Sequence, residues 1–158
     1  MTYDTTDTRL YHGQDITTGA IRTGYYAKAG KCRNPVCISR STKGDFPVLA
    51  ELAPPSSLLT RFKYIDHDEK AYAGSYTKHL DSLDWNGICS RVGRLIGKYG
   101  CITLLCFEKP GDFCHRHAAA ARLCMEMLKA GLLQPDDIGE PGEDGPEKEE
   151  DLQPSLFG

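Results

Sequence analysis

A short stretch about two thirds of the way along the chain, residues 104–117, carries several side chains that can act as nucleophile, acid, base or anion ligand. It begins within an apolar run, residues 101–107, and it precedes an alanine-rich segment, residues 118–121. This order predicts a strand, a sharp loop and a helix. Ligands of open α/β sheets bind at the carboxyl ends of strands, where helix N–H groups favour anions, so we expect the functional site here. Its reactive side chains are Glu108, Asp112, Cys114, His115, Arg116 and His117.

Cys114 is the expected nucleophile of this turn. A thiolate at a helix start gains from the helix dipole and from the neighbouring charge of Arg116. His115 supplies a base beside it, and Glu108 at the strand end would orient Arg116 or act as a second base. The predicted catalytic set is therefore Cys114, His115 and Glu108. The alternative is that Cys114 is a small buried residue at the helix start, since free cysteines are often buried.

Two loops supply the expected ligand contacts. Arg116 presents a forked donor suited to phosphate or carboxylate. A second predicted strand, residues 35–39, leads into a polar loop that contains Arg40 and Ser41. Because parallel strands end at one edge of a sheet, we expect Arg116 and Arg40 to line the same cleft, with Ser41 and Cys106 beside them. The alternatives are an ion pair between Arg116 and Glu108 that fixes the loop, and an ordinary surface turn at Arg40.

Cysteine spacing gives little indication of a metal. Cys101 and Cys106 differ by five positions, so on one strand they point to opposite faces and cannot share an ion. Structural zinc sites usually show closer spacing on turns, and we predict no metal site and identify no cofactor. The seven cysteines are an odd number scattered along the chain, which favours free thiols over a disulfide framework.

The remaining pattern predicts a single α/β domain with a mainly parallel sheet flanked by helices. One strand is expected within residues 10–26. We expect a flexible N-terminus over residues 1–9, the α/β domain over 10–133 and an acidic, disordered tail over 134–158. Helices are expected from a serine cap after Pro55, from the charged segment 66–70 to about Leu83, from Asp84 to Gly100, and from about Phe113 to Ala130. A buried helical stripe is expected at Trp85, Ile88, Val92, Leu95, Ile96 and Tyr99.

Charge is distributed unevenly along the chain. The net charge is −3, but residues 134–151 hold nine acidic side chains and a single lysine, which leaves 18 Lys and Arg against 13 Asp and Glu in the rest. This balance is compatible with a nucleic acid or a phosphorylated small molecule as partner, or with a merely solvated tail. No apolar run is long enough for a membrane helix and the start lacks a signal peptide, so we expect a cytoplasmic protein with no membrane partner.

The segment from Leu105 to His117 resembles the signature of an uncharacterised family of small bacterial and phage proteins, domain of unknown function 488. That family has a strand ending in Leu-Cys-x-Glu, a loop, and Cys-His-Arg at a helix start. Further similarity lies at Tyr25-Tyr26-Ala27, Ile38-Ser39-Arg40-Ser41 and Leu52-Ala53-Pro54-Pro55-Ser56. The resemblance covers roughly residues 10–130 and implies the fold and the site, but the family has no established activity.

Two functional interpretations remain open at this point. The first is a cytosolic protein of DNA metabolism that binds a phosphate-bearing or nucleic-acid ligand, with catalysis through the Cys-His-Arg motif. The second is a noncatalytic binding or adaptor module in which that motif only holds the loop.

The end of the chain resembles the short peptide by which bacterial replication and repair proteins bind the sliding clamp. Gln153 is followed by Leu156 and Phe157, with Pro154 where the peptide usually has leucine. An apolar pair at the end of an acidic tail supplies two anchors for a preformed groove. We therefore expect a sliding clamp as a protein partner.

A labelled peptide spanning residues 151–158 is expected to bind purified bacterial clamp. Loss of an apolar anchor costs at least about 2 kcal/mol, or roughly thirtyfold in affinity, so Leu156→Ala with Phe157→Ala should remove detectable binding. Fluorescence anisotropy measures both peptides. Equal signals for the two would show that the apolar pair does not anchor the tail to the clamp.

Overall fold

Three short parallel strands form the centre of the fold. The computed structural model describes residues 4–40 and 44–138. The strands are β1 (Ile21–Tyr25), β2 (Pro35–Cys37) and β3 (Ile102–Cys106). They lie in the order β1-β3-β2, and Ile21 pairs with Ile102. Every residue of β3 is buried, as expected of a central parallel strand that is covered on both faces.

Helices flank this sheet and confirm the predicted α/β class. The α-helices are α1 (Ser56–Arg61), α2 (Glu69–Asp81), α3 (Trp85–Tyr99) and α4 (Arg116–Lys129). Short 3-10 helices span Thr8–His12, Tyr26–Lys31, Ala50–Leu52 and Pro135–Asp137, and a π-helical turn spans Phe62–Asp66. Within the described ranges, no helix combines the length and the apolar character needed to cross a membrane.

Local capping explains where several helices begin and end. The Asp84 carboxylate accepts a hydrogen bond from the Gly87 N–H, as predicted, and Gly100 ends α3 with a φ of 87°. The predicted serine cap of α1 is wrong. Pro55 occupies the cap position without a side-chain hydrogen bond, and Ser56 is already the first helical residue, because the fixed φ of proline is compatible with a helix start.

Most of the expected core forms. Ile88 and Val92 are buried on α3, which confirms the centre of the predicted stripe. The prediction is wrong at Tyr99, which is 47% exposed because it is the last residue of the helix, and the Lys98 ammonium lies 5.1 Å from its ring centre. Near the other end of the sheet, Tyr11 stacks on the Phe113 ring with 5.0 Å between centroids. The N-terminal segment is therefore packed against the loop that precedes α4.

His117 is an unusual member of this interior. It lies in the first turn of α4 and is fully buried, and a carboxylate oxygen of Asp15 is 3.9 Å from its Nε2. Burial lowers the pKa of His117 to about 3, the charge of Arg116 acts in the same direction, and the backbone of Gln14 offsets part of the effect. The imidazole is therefore neutral in the folded protein at neutral pH.

Acid is expected to destabilise the fold through this histidine. An unfolded histidine binds its proton near pH 6.5, whereas folded His117 does not until about pH 3, so the unfolded state holds more protons between these values. The free energy of unfolding should fall by up to about 1.4 kcal/mol per pH unit for this group as the pH drops from about 6.5 to 4. Denaturant unfolding of His117→Gln should show a shallower fall. The exposed His67, changed to Asn, is the control, and an unchanged slope in His117→Gln would contradict the assignment.

Candidate functional site

The predicted site lies at the junction between β3 and α4. Cys106 is the last residue of β3, and the loop that follows it leads through Cys114 and His115 into the helix. The helix begins at Arg116 instead of the expected Phe113, so Cys114 precedes the first helical turn. This strand, loop and helix order agrees with the sequence expectation, but both thiols are nearly inaccessible, with Cys106 1% and Cys114 2% exposed.

Arg116 is the charged residue of the site that is most buried and makes several hydrogen bonds. Its side chain is fully buried, and its Nε donates to Asp15 Oδ1 at 2.8 Å. Its Nη1 donates to Cys106 Sγ at 3.0 Å and to the backbone oxygen of Glu108 at 2.8 Å. Arg116 therefore binds the strand end, the loop and the N-terminal segment. Glu108 contributes its carbonyl to this contact and not the carboxylate that the sequence suggested.

Asp15 is a residue of this site that sequence reasoning missed. Its Oδ1 also accepts a hydrogen bond from Thr23 Oγ1 at 3.3 Å, and that hydroxyl accepts one from the Ile16 N–H at 2.8 Å. Asp15 is 101 positions from Arg116 in the chain, and it lies in a segment without a recognisable motif. The parallel pairing of β1 with β3, together with backbone hydrogen bonds from Gly111 to Gly13 and from Cys114 to Tyr11, brings the two together, and no local pattern signals it.

Cys106 and Cys114 meet across the loop. Their sulfur atoms are joined in a disulfide, with Cα atoms 7.6 Å apart, wider than the usual range of about 4.4–6.8 Å. The expectation of free thiols throughout the chain is wrong for this pair. The reason is that the loop folds back on the strand end, so residues eight positions apart become neighbours.

His115 is held in one orientation by a backbone contact. Its Nε2 lies 2.6 Å from the carbonyl oxygen of Ile38, which follows β2, and its Nδ1 lies 3.7 Å from Cys114 Sγ. A carbonyl only accepts hydrogen bonds, so Nε2 carries the proton and the Nδ1 lone pair faces the sulfur. Burial lowers the pKa of His115 to about 4, and the imidazole is neutral at neutral pH.

Glu108 completes a group of donor atoms that could hold a metal ion. One donor atom each from Cys106, Glu108 and Cys114 lie within 4.8 Å of one another. Burial raises the pKa of the half-buried Glu108 carboxyl, while the charges of Lys63 and Arg116 act in the opposite direction. These three residues lie at the two ends of the loop between β3 and α4. The prediction of no metal site had considered only Cys101 and Cys106, which were expected to lie on one strand.

The expectation that Arg40 and Arg116 line one cleft stays a prediction, and the two side chains differ in exposure. Arg40 is exposed three residues beyond β2, and Arg116 is buried beyond β3, so both follow adjacent strands at the same edge of the sheet. Ser41 lies outside the described residues, and its role remains a prediction. The same holds for the expected clamp-binding residues Gln153, Leu156 and Phe157.

Comparison with known proteins places this geometry in a family. No curated protein and no solved structure matches the chain. The family described as "Domain of unknown function DUF488" matches residues 36–123, which is more than half of the 158 residues. The matched range includes Arg40, both cysteines of the pair, His115 and Arg116, but not Asp15. The chain therefore belongs to the DUF488 family.

Proposed function

We propose that the chain, once the Cys106–Cys114 disulfide is reduced, is a thiol-dependent enzyme that acts on a phosphate-bearing ligand at the junction of β3 and α4, with Cys114 as nucleophile. The observation that carries this proposal is the order Cys114 Sγ, His115 Nδ1 and Ile38 carbonyl, with distances of 3.7 Å and 2.6 Å. A nucleophile, a base and a group that orients the base are the parts that thiol and hydroxyl enzymes need.

His115 is placed to take the thiol proton during attack, and its lowered pKa makes it a weaker base than a free histidine. It is neutral, and its lone pair faces the sulfur, so the proton passes to Nδ1 as Sγ bonds to the electrophilic atom of the ligand. The bond from that atom to its leaving group breaks, and the imidazolium returns the proton to the leaving group. Ile38 keeps the ring in place throughout, because its carbonyl also stabilises the charged imidazole.

Positive charge supports an anionic ligand here. Arg116 is buried, and its Nε and Nη1 are bonded to protein groups, while its Nη2 has no hydrogen-bond partner among the described residues, so the guanidinium contributes at least its field to the site. Arg40 is exposed at the same edge of the sheet and is the residue that would contact a phosphate. Lys63 also acts electrostatically on Glu108 from the turn after α1. A nucleic acid and a phosphorylated small molecule share this chemistry.

A noncatalytic role for the motif is the second candidate. It is favoured by the burial of Cys114 and by the hydrogen bonds of Arg116, which go to Asp15, Cys106 and Glu108. In that case the motif holds the loop on the strand end, and the chain binds a partner without chemistry.

Alkylation of the reduced chain at pH 7 separates the two candidates. Cys124 lies on α4 with 1% exposure, and burial raises the pKa of its thiol to about 12. Its alkylation rate is therefore the reference for a buried thiol that no neighbouring base activates. We expect iodoacetamide to modify Cys114 at least about tenfold faster than Cys124, and His115→Gln to remove most of that difference. Mass spectrometry of the peptides measures both rates, and circular dichroism confirms that the variant is folded.

The charge of the reagent tests the ligand class in the same experiment. Iodoacetate carries a carboxylate and iodoacetamide does not. Arg40→Gln should slow iodoacetate at Cys114 and leave iodoacetamide unchanged, whereas the exposed Arg94 on α3, changed to Gln, should affect neither. Equal rates at Cys114 and Cys124 would instead support the structural loop.

A further inference from the structure

We propose that Cys106, Glu108 and Cys114 bind a soft divalent cation of the zinc class when the two thiols are reduced. The loop between β3 and α4 brings two sulfurs and a carboxylate to one place, with donor atoms within 4.8 Å of one another. Thiolate and carboxylate are the ligands of such cations, and two sulfurs favour zinc over magnesium or calcium.

The spacing of the donors suits a tetrahedral ion. With zinc to sulfur bonds of about 2.3 Å and zinc to oxygen bonds of about 2.1 Å, neighbouring ligand atoms are about 3.6–3.8 Å apart. The donor atoms of Cys106, Glu108 and Cys114 lie within 4.8 Å of one another, so side-chain rotations bring them to this spacing once reduction lets the two sulfurs separate. The Cα separation of 7.6 Å between the cysteines leaves room for an ion between the sulfurs, because the sulfurs of two thiolates on one ion lie farther apart than in a direct bond.

Positive side chains offset the charge of such a centre. Two thiolates and one carboxylate exceed the charge of a divalent cation by one unit. The Arg116 guanidinium, which is already paired with Asp15, contacts Cys106 Sγ, and Lys63 acts on Glu108 as a second positive charge. The hydrogen bond from Arg116 to Cys106 Sγ is the kind of outer contact that fixes the orientation of a metal ligand. Asp15 holds the guanidinium from the other side.

Three protein ligands leave one coordination position open. In zinc proteins this pattern is typical of sites that bind water or a ligand, whereas structural sites have four protein ligands. The cation does not depend on the proposed function. It would withdraw the Cys114 sulfur from attack, so metal binding and thiol reactivity are alternative states of one site.

Cobalt titration tests the site directly. The chain is reduced with a phosphine, freed of metal, and titrated with Co²⁺, which is the probe because thiolate ligation produces a charge-transfer absorption. We expect one Co²⁺ per chain, displacement of that absorption by Zn²⁺, and at least tenfold weaker binding in Glu108→Gln. Asp112→Asn, in the same loop, and Cys124→Ser should bind as the unchanged chain does.

Protection of the unaltered chain provides a readout that needs no variant. Zn²⁺ should slow the alkylation of both Cys106 and Cys114 and leave that of Cys124 unchanged. Absence of the charge-transfer absorption, or its persistence after Cys106→Ser and Cys114→Ser together, would overturn the inference. Fast alkylation of Cys114 without any cobalt binding would contradict the cation site and still support the proposed enzyme function. Cobalt binding by a chain whose metal-free Cys114 is unreactive would contradict the enzyme function and support the cation site.

Discussion

The charge of Arg116, buried inside the protein, is the constraint on which the candidate site depends. Removing a guanidinium from water is costly, and the cost is offset only when hydrogen-bond acceptors and a counter-charge surround it. Asp15 supplies the counter-charge, and Cys106 with the Glu108 carbonyl supplies acceptors. The N-terminal segment, the end of β3 and the loop therefore have to assemble around one side chain.

Several further contacts also hold the side chains of the site in fixed positions. The loop returns Cys114 to the end of the strand, and His115 is anchored to the backbone after β2 at 2.6 Å. Tyr11 stacks on Phe113 and closes the side that faces the N-terminal segment. Thiol reactivity, cation binding or a structural contact would each use the same preorganised sulfurs, and the chemistry depends on whether they are reduced and what reaches them.

Local patterns were sufficient for the elements but not for their contacts. The apolar run before Pro110 predicted β3, and Asp84 with Gly100 marked the ends of α3, because these signals lie within a few residues of the structure they determine. Asp15 and the carbonyl of Ile38 could not be predicted, since they meet Arg116 and His115 across 101 and 77 positions of the chain. The sequence predicted that Arg116 faces a ligand for the same reason: its partners are not adjacent in sequence.

The close approach of Cys106 and Cys114 depends on the path of the loop between them, which residue types alone do not specify.

The central claim is that Asp15 and Arg116 act as one buried pair that holds the site together. A double-mutant cycle with Asp15→Asn and Arg116→Gln, measured by denaturant unfolding, tests it most directly. Each single change should lower the free energy of unfolding: Asp15→Asn by about 3–5 kcal/mol, because it leaves the fully buried guanidinium without its counter-charge, and Arg116→Gln because it removes the partner of Asp15, whose side chain is 16% exposed. The double variant should lose clearly less than the sum of the two. Additive losses would show that the pair is not coupled and would contradict the account.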